Sequence, residues 1–299
     1  MAEPDQPLEP PTGPAAVEAG EASALAADPA RRSRAGIDAG PEPARAAFFD
    51  VDNTIMHGAS IFQMARGLYQ RKLLTWRDIA HFAWQQVNFL LVGENMDHVA
   101  DIEAKALTFV TGHHVAELRA IGEEIYDELM ADKIWPGPLA LAQGHINAGD
   151  QVWLVTATPV EVAEVIARRL GLTGALGTVA EQVDGVYTGR LVGGIMHGQA
   201  KAEAVRALTE RLGLDLADCA AYSDSLNDLP MLGLVGTPVA VNPDPRLRAH
   251  ARTNGWTIHD FRTGRTVARI GVPAALASGV AAGVLMGVLA ARRRRPGHA

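Results

Sequence analysis

The sequence has one cysteine and no excess of basic residues. The first scarcity excludes an intramolecular disulfide, and the second argues against one class of function. Cys219 has no partner for an intramolecular disulfide, so we expect a reducing compartment and a buried thiol that packs as a small apolar group. The formal net charge of −7 argues against nucleic-acid binding, which needs a basic face. Because 48% of the 299 residues are hydrophobic, the chain can still form one large or two smaller globular units.

The N-terminal stretch also lacks large apolar residues. No Phe, Tyr, Trp or Ile precedes Ile37, and Ala, Pro, Glu and Gly dominate. Such a segment has little to bury, so we expect residues 1–44 to form a disordered tail. The acids and prolines of the first ten residues are not typical of a secretory signal.

From residue 45 onward, short apolar strands alternate with helical segments. AAFFDV, QVWLVT, CAAYSD and TPVAVN read as strands, PVEVAEVIARRLGL, KAEAVRALTERLGL and SLNDLPMLGLV as helices, and Asp184-Gly185 as a hairpin turn. This alternation predicts an α/β fold with a Rossmann-like, mostly parallel sheet. We expect a catalytic core over residues 45–57 and 136–262, with a helical cap inserted at 58–135.

Polar residues follow several of these strands, where parallel strands would bring their carboxyl ends together. Asp50 and Asp52 end the first strand two residues apart, so their carboxylates share one face and repel each other unless a positive charge lies between them. Other polar residues join them from later segments: Thr156, Thr158, Lys201, Ser223, Asp224 and Asp228.

This set of groups suits phosphoryl transfer through an aspartyl-phosphate. Asp50 is the expected nucleophile, and Mg²⁺ held by Asp50 and Asp224 would offset its repulsion of an anionic phosphate. Asp52 would protonate the leaving oxygen and later accept a proton from water.

The remaining groups are expected to stabilise the transferred phosphoryl group. Thr156 would donate a hydrogen bond to a phosphate oxygen, and Lys201 would supply positive charge. Asp228 would pair with Lys201 and hold it in place.

Each motif alone has a simpler structural explanation. A DxD pair can be a solvated turn, Thr156 or Thr158 a helix cap before Pro159, and Lys201 a surface charge. The acids of SLND would suit a helix start. A zinc site is the less favoured reading of the histidines, which lack metal-ligand spacing apart from one adjacent pair: His57, His81, His113, His114 and His197.

Together the four motifs resemble the haloacid dehalogenase superfamily, in its phosphoserine-phosphatase-like IB branch. DVDNT (50–54) is similar to the DxDxT motif, Thr156 to the second-motif hydroxyl, Lys201 to the third-motif lysine and SDSLND (223–228) to the acidic fourth motif. The resemblance covers about residues 46–260 and implies an Mg²⁺-dependent phosphatase. It also implies that the main-chain carbonyl of Asp52 contacts the metal.

One departure concerns the substrate. Phosphoserine phosphatases carry a glutamate shortly after the first motif that contacts the substrate amine, whereas HGASIFQMARG (57–67) has no acid. This argues against free phosphoserine and leaves the substrate as a small phosphomonoester, with a lipid-linked one included.

The C-terminal stretch 270–291 contains no charged residue and is followed by RRRR. As a helix it would span about 33 Å, close to a bilayer core. We expect a transmembrane anchor with a cytoplasm-facing catalytic domain. The alternative is a weakly apolar helix that lies on the membrane surface or packs on a partner.

Three other functions use the same residues. A phosphotransferase would pass the phosphoryl group from Asp50 to an alcohol instead of water. A receiver-like switch would use Asp50 only as a phosphorylation site: it would need a long-lived phosphoaspartate and would not need Asp52 as an acid/base. A non-catalytic membrane scaffold would bind Mg²⁺ without turnover.

Overall fold

The computed structural model describes residues 13–27, 45–73 and 111–262. The strands in these ranges are β1 (Ala46–Asp50), β2 (Gln151–Pro159), β3 (Gly174–Thr178), β4 (Ala180–Val183), β5 (Val186–Leu191), β6 (Ala220–Ser223), β7 (Thr237–Val241) and β8 (Thr257–His259). The α-helices are α1 (Pro14–Ala26), α2 (Ser60–Gln70), α3 (Val115–Ile125), α4 (Pro136–Asn147), α5 (Val160–Arg169), α6 (Gln199–Leu212), α7 (Leu229–Leu232) and α8 (Pro245–Thr253).

Six strands form one parallel sheet in the order β3–β2–β1–β6–β7–β8. The predicted α/β fold with a mostly parallel sheet is confirmed. The chain builds outward from β1 through β2 to β3, and then continues on the other side of β1 with β6 to β8. The order therefore reverses between β1 and β6, which is where a sheet of this kind opens a crevice for a ligand.

Consecutive β1 residues send their side chains to opposite faces of the sheet, and helices cover both faces. Phe48 packs with Trp153 and with Val205 of α6. Phe49 packs with Leu154 and with Ile166 of α5. Because both faces are buried, β1 reads as a continuous apolar run up to Asp50.

The predicted hairpin is also present. Strands β4 and β5 pair antiparallel, and Asp184 and Gly185 between them have φ of 51° and 76°. Two consecutive positive φ values are what a two-residue hairpin turn with the right twist requires.

Two predicted elements are wrong in detail. SLNDLPMLGLV is not one helix: Leu226–Asp228 forms a 3₁₀ turn and α7 only a single α-helical turn. The expectation of disorder over residues 1–44 fails for α1 (Pro14–Ala26), which packs against α6; residues 1–12 and 28–44 lie outside the described ranges.

Small side chains explain why the composition of residues 1–44 did not predict helix α1. A Cβ on Gly20 would lie 2.6 Å from Cβ of Glu203 and 2.7 Å from the main-chain nitrogen of Ala204, so α1 meets the backbone of α6 directly. Ser23 Oγ also accepts a hydrogen bond from the main-chain nitrogen of Gly177 at 2.9 Å. Close backbone contact of this kind needs no large apolar residue.

The described parts of the predicted cap are α2 and α3, with a π-helical turn at Tyr126–Met130. Arg71 at the end of α2 forms ion pairs with Glu124 at 3.0 Å and Glu128 at 2.9 Å. Residues 74–110 lie outside the described ranges, so the cap boundaries at 58 and 135 stay a prediction.

The apolar segment 270–291 likewise lies outside the described residues. Within residues 13–27, 45–73 and 111–262, no helix has both the length and the apolar character needed to cross a bilayer.

Candidate active site

The site lies at the carboxyl ends of β1 and β6, on either side of the point where the strand order reverses. Asp50 is the last residue of β1, and Asp224 follows Ser223, the last residue of β6. The two strands are hydrogen-bonded neighbours. The sequence placed Asp50 and Asp224 at strand ends, and the parallel sheet brings those two ends together.

Lys201 joins the acids. It lies in the first turn of α6, and its ammonium donates to Asp50 Oδ1 at 2.6 Å and to Asp228 Oδ2 at 2.8 Å. Ser223 Oγ donates to the same oxygen of Asp228 at 2.7 Å. All four residues are at least 95% buried, so this lysine is not the solvated surface charge of the simpler explanation.

The charges of this cluster depend on one another. Burial disfavours the charged form of Lys201, but the carboxylates of Asp228 and Asp50 outweigh it and raise the pKa of the ammonium. Burial raises the pKa of Asp50 to about 7, against the opposing attraction of Lys201. Burial and repulsion from Asp50 and Asp228 raise the pKa of Asp224 to about 8. A further cation would therefore be favourable beside Asp50 and Asp224.

Asp52 lies in a different environment, beside the first residue of α2. Its Oδ1 accepts hydrogen bonds from the main-chain nitrogen of Ser60 at 2.7 Å and from Ser60 Oγ at 2.6 Å. Ser60 Oγ also contacts Thr158 Oγ1 at 2.5 Å. Burial raises the pKa of Asp52, although the Ser60 contacts lower it. The two acids of DVD thus have separate partners: Lys201 for Asp50 and Ser60 for Asp52.

The two threonines of β2 are both buried. Thr156 follows Val155, which pairs with Asp50 in the sheet, and its Oγ1 accepts from the main-chain nitrogen of Thr158 at 3.2 Å. The alternative assignment of Thr158 as a helix cap is wrong, because β2 continues to Pro159 and α5 begins at Val160 without a side-chain cap.

The loop after β1 is held by contacts that the sequence motif did not reveal. Asn53 has φ of 59°, and its Oδ1 accepts from the main-chain nitrogen of Gly58 at 3.1 Å. Asn242 donates to the carbonyl of Asn53 at 3.3 Å. Ser60 and Asn242 were missed as site residues; the position of Ser60 just after the motif, at a helix start, was the available signal for it.

A metal ion at this site would be bound by only two carboxylate side chains and one main-chain carbonyl. In the described stretches, no group of three or more His, Cys, Asp or Glu side chains is arranged to bind a metal ion. An Mg²⁺ site built from two carboxylates, Asp50 and Asp224, and the main-chain carbonyl of Asp52 does not need such a group. All of these ligands are oxygens, which Mg²⁺ prefers.

The chain is similar to a known family and to several known proteins. A family model described as haloacid dehalogenase-like hydrolase matches residues 47–233. The chain is 58% identical over 270 residues to a protein of Mycobacterium tuberculosis named phosphoserine phosphatase SerB1, with 89% of this chain and 88% of that one covered. It is 32% identical over 227 residues to a histidinol-phosphatase of Neisseria meningitidis, with 72% and 98% covered. A solved structure of a Bordetella pertussis protein with unknown function superposes with a TM-score of 0.66 at 30% identity, over 73% of this chain and 99% of that one.

Proposed function

The chain belongs to the haloacid dehalogenase-like hydrolase family, and from that premise we propose that it hydrolyses small phosphomonoesters through an aspartyl-phosphate on Asp50. The observation that carries the proposal is the buried Lys201, bound to Asp50 at 2.6 Å and Asp228 at 2.8 Å at the strand-order reversal. Its ammonium holds one oxygen of Asp50 and leaves the other available to attack phosphorus.

In the first step an oxygen of Asp50 attacks phosphorus and the bond to the alcohol oxygen breaks. The leaving oxygen takes a proton from Asp52, whose raised pKa favours the protonated form that this step needs. In the second step Asp52 accepts a proton from water as the water oxygen attacks phosphorus. The phosphorus–Asp50 bond then breaks and inorganic phosphate leaves.

Two further groups would act on the phosphoryl oxygens. Lys201 offsets negative charge as it moves onto them, while Asp228 fixes the position of Lys201 and Ser223 fixes that of Asp228. Thr156 Oγ1 accepts from Thr158, which leaves its own hydrogen free for a phosphate oxygen.

Asp50, Asp224 and the carbonyl of Asp52 would hold Mg²⁺. When bound, the ion would neutralise charge between the acids and the phosphate and orient the phosphoryl group. The raised pKa values of Asp50 and Asp224 support a cation at this point.

For the substrate, two relatives carry names that specify it, phosphoserine phosphatase and histidinol-phosphatase. Both names denote small phosphomonoesters whose alcohol bears an amine. We therefore place amine-bearing alcohol phosphates first among candidates, although no acid follows the DVDNT motif in 57–67. A lipid-linked phosphate stays a candidate only because of the apolar segment 270–291.

Membrane attachment through 270–291, with the catalytic domain facing the cytoplasm, stays a proposal from sequence. Extraction of membranes with alkaline carbonate tests it. Retention of the full chain in the membrane pellet supports a spanning anchor, and complete release rules it out.

The proposed reaction is tested by phosphate release with Mg²⁺ from phosphoserine, histidinol phosphate, sugar phosphates, lysophosphatidate and p-nitrophenyl phosphate. Asp50→Asn and Asp52→Asn should both lose turnover, whereas Asp218→Asn, at an exposed position, should keep it. Turnover that survives in Asp50→Asn would contradict the mechanism. Transfer to an added alcohol in place of water would instead indicate the phosphotransferase.

A further inference from the structure

The negative net charge of the chain conceals a concentration of positive charge near its C-terminus. Residues 245–299 contain ten arginines and a single acid, Asp260, although the whole chain has a formal net charge of −7. The described part of this region comprises α8, β8 and the residues up to Arg262. None of these residues takes part in the reaction proposed above, so the charge calls for a separate explanation.

Helix α8 presents an exposed face that is basic. Leu247 and Ala251 pack into the core, which turns the opposite side of the helix to solvent. Arg246, Ala249 and Arg252 are exposed, and their spacing of three residues places them on one face. The two arginines are about 9 Å apart along the helix axis. No acid lies within the helix itself, Pro245–Thr253.

Arg246 and Arg252 also lack the acidic partners that most arginines of the described chain have. A typical case is Arg190, which pairs with Glu181 at 2.7 Å. Among the residues that the structure describes, the side chains of Arg246 and Arg252 have no hydrogen-bond or ion-pair partner. A guanidinium group at the surface without an internal partner is available to an external anion.

Two further arginines border this face and share one acid. Arg248 and Arg262 both donate to Asp260. Arg262 Nη2 also donates to the carbonyl of Pro243 at 3.1 Å, and the residue after Pro243 caps α8. The guanidinium of Arg262 therefore lies beside the start of the helix. The basic face is defined by four arginines: Arg246, Arg248, Arg252 and Arg262.

The position of the basic face in the chain favours a lipid bilayer as its partner. Ile270 follows Arg262 by eight residues, so the uncharged stretch 270–291 begins within about 29 Å of Arg262 even if the chain between them is fully extended. Arginines next to an apolar segment are attracted to anionic headgroups over about a Debye length. A nucleic acid would offer the same charge but nothing that could bury the apolar stretch.

We propose that the basic face docks onto a bilayer surface that carries anionic phospholipid headgroups. This contact differs from an anchor through 270–291, because it requires a negatively charged surface and weakens with salt. It also orients the folded domain. The main-chain nitrogen of Asp244, the cap of α8, donates to the carbonyl of Asp224 at 2.7 Å, so docking would bring this edge of the candidate site close to the headgroups. The inference does not depend on the proposed reaction.

A fluorescent label on α8 tests the proposal in the full chain. Ala249→Cys introduces a thiol in the middle of the basic face. Ala148→Cys introduces one at an exposed position after α4, on the other face of the sheet. The native Cys219 is buried, so the fluorophore reacts with the introduced cysteine. The chain is incorporated into vesicles of phosphatidylcholine, alone or mixed with phosphatidylserine, and a quencher is attached to the headgroups.

We expect the label at position 249 to be quenched more strongly in the vesicles with phosphatidylserine, and this difference to vanish at high salt. The label at position 148 should show no such difference. Arg246→Gln combined with Arg252→Gln should remove most of the difference, because each arginine near an anionic surface strengthens binding by about fivefold. Arg246→Lys combined with Arg252→Lys keeps the charge and should retain it.

A second pair of substitutions controls for net charge. Arg45→Gln combined with Arg190→Gln removes two exposed positive charges away from α8 and should leave the difference at position 249 unchanged. An unchanged Tm in each variant shows that the chain is folded.

Three results would overturn the proposal. Equal quenching at position 249 in both kinds of vesicle is what a tether through 270–291 alone would give. A difference that survives the two Arg→Gln changes on α8, or that the control pair also removes, would mean that the basic face is not the contact. Binding of a duplex oligonucleotide that requires Arg246 and Arg252, without a difference between the vesicles, would assign the face to nucleic acid instead.

Discussion

Replacing Lys201 by Met should affect stability far more than replacing Asp50 by Asn, although both should abolish turnover. Lys201→Met leaves two carboxylates, Asp50 and Asp228, buried without their cation. Removing one partner from a buried ion pair costs about 3–5 kcal/mol. Asp50→Asn keeps an oxygen that can accept from Lys201 and leaves the ion pair with Asp228 intact, so we expect a loss below about 1 kcal/mol.

The loss of stability in Lys201→Met should depend on pH in a defined direction. Burial raises the pKa of Asp50 even beside Lys201, and loss of this cation would raise that pKa further. The penalty is therefore absent at pH values where the unfolded carboxyl is protonated and grows as pH rises. The destabilisation of Lys201→Met should therefore be larger at pH 8 than at pH 5. Urea unfolding at both pH values, with divalent cations removed, measures it.

Lys72→Met is a matched control, because Lys72 is exposed and its replacement should change stability by about 0.5 kcal/mol or less. If Lys201→Met proves no less stable than Asp50→Asn, or equally destabilised at pH 5 and pH 8, the charge network described here is not what holds the site.

Three further changes test other parts of the structure. Gly20→Val should loosen α1 from α6 and lower the free energy of unfolding by about 1–3 kcal/mol through overpacking. Gly144→Ala is the control: nothing lies within 4 Å of the added Cβ, so it should raise the free energy of unfolding by about 0.5–1 kcal/mol. Similar unfolding free energies for the two variants would refute the contact between α1 and α6. Burial raises the pKa of Glu161, so stability present below pH 4.5 is lost as pH rises through the raised value, and Glu161→Gln should flatten that decline in a pH series of Tm. Ser60→Ala should slow alkyl phosphates by about 10²-fold and p-nitrophenyl phosphate much less, because nitrophenolate leaves without a proton from Asp52; equal slowing would count against the role of Asp52.

The placement of the proposed catalytic groups was predictable from the sequence because parallel strands impose a common edge. Asp50, Thr156 and Asp224 each follow an apolar run, and the sheet brings those strand ends together without help from distant contacts. The role of Lys201 was harder to predict, because a lysine in a helix has no local sequence feature that distinguishes a buried site from the surface. Its significance came from its order relative to the other motifs.

What the sequence did not reveal depends on geometry that no local pattern encodes. The contact of Asp52 with Ser60 requires a loop that turns through Asn53 at φ 59° and Gly58 at φ 83°, and neither residue type indicates where the loop returns. The helix at Pro14–Ala26 was missed because its buried face is made of small residues. A composition rule that counts large apolar residues gives such a face no weight.

The division of partners between the two acids has a consequence for how cap and core share the reaction. Asp50 is held by Lys201, which also binds Asp228, and Asp228 in turn accepts from Ser223; all of these residues lie on core elements. Asp52 is held instead by Ser60, the first residue of α2, near the start of the predicted cap. A displacement of α2 would therefore move the proposed proton donor and leave the proposed nucleophile in place. In the proposed mechanism, substrates that fit poorly against α2 would lose leaving-group protonation before they lose attack by Asp50, so the cap would select substrates through the proton transfer as well as through binding.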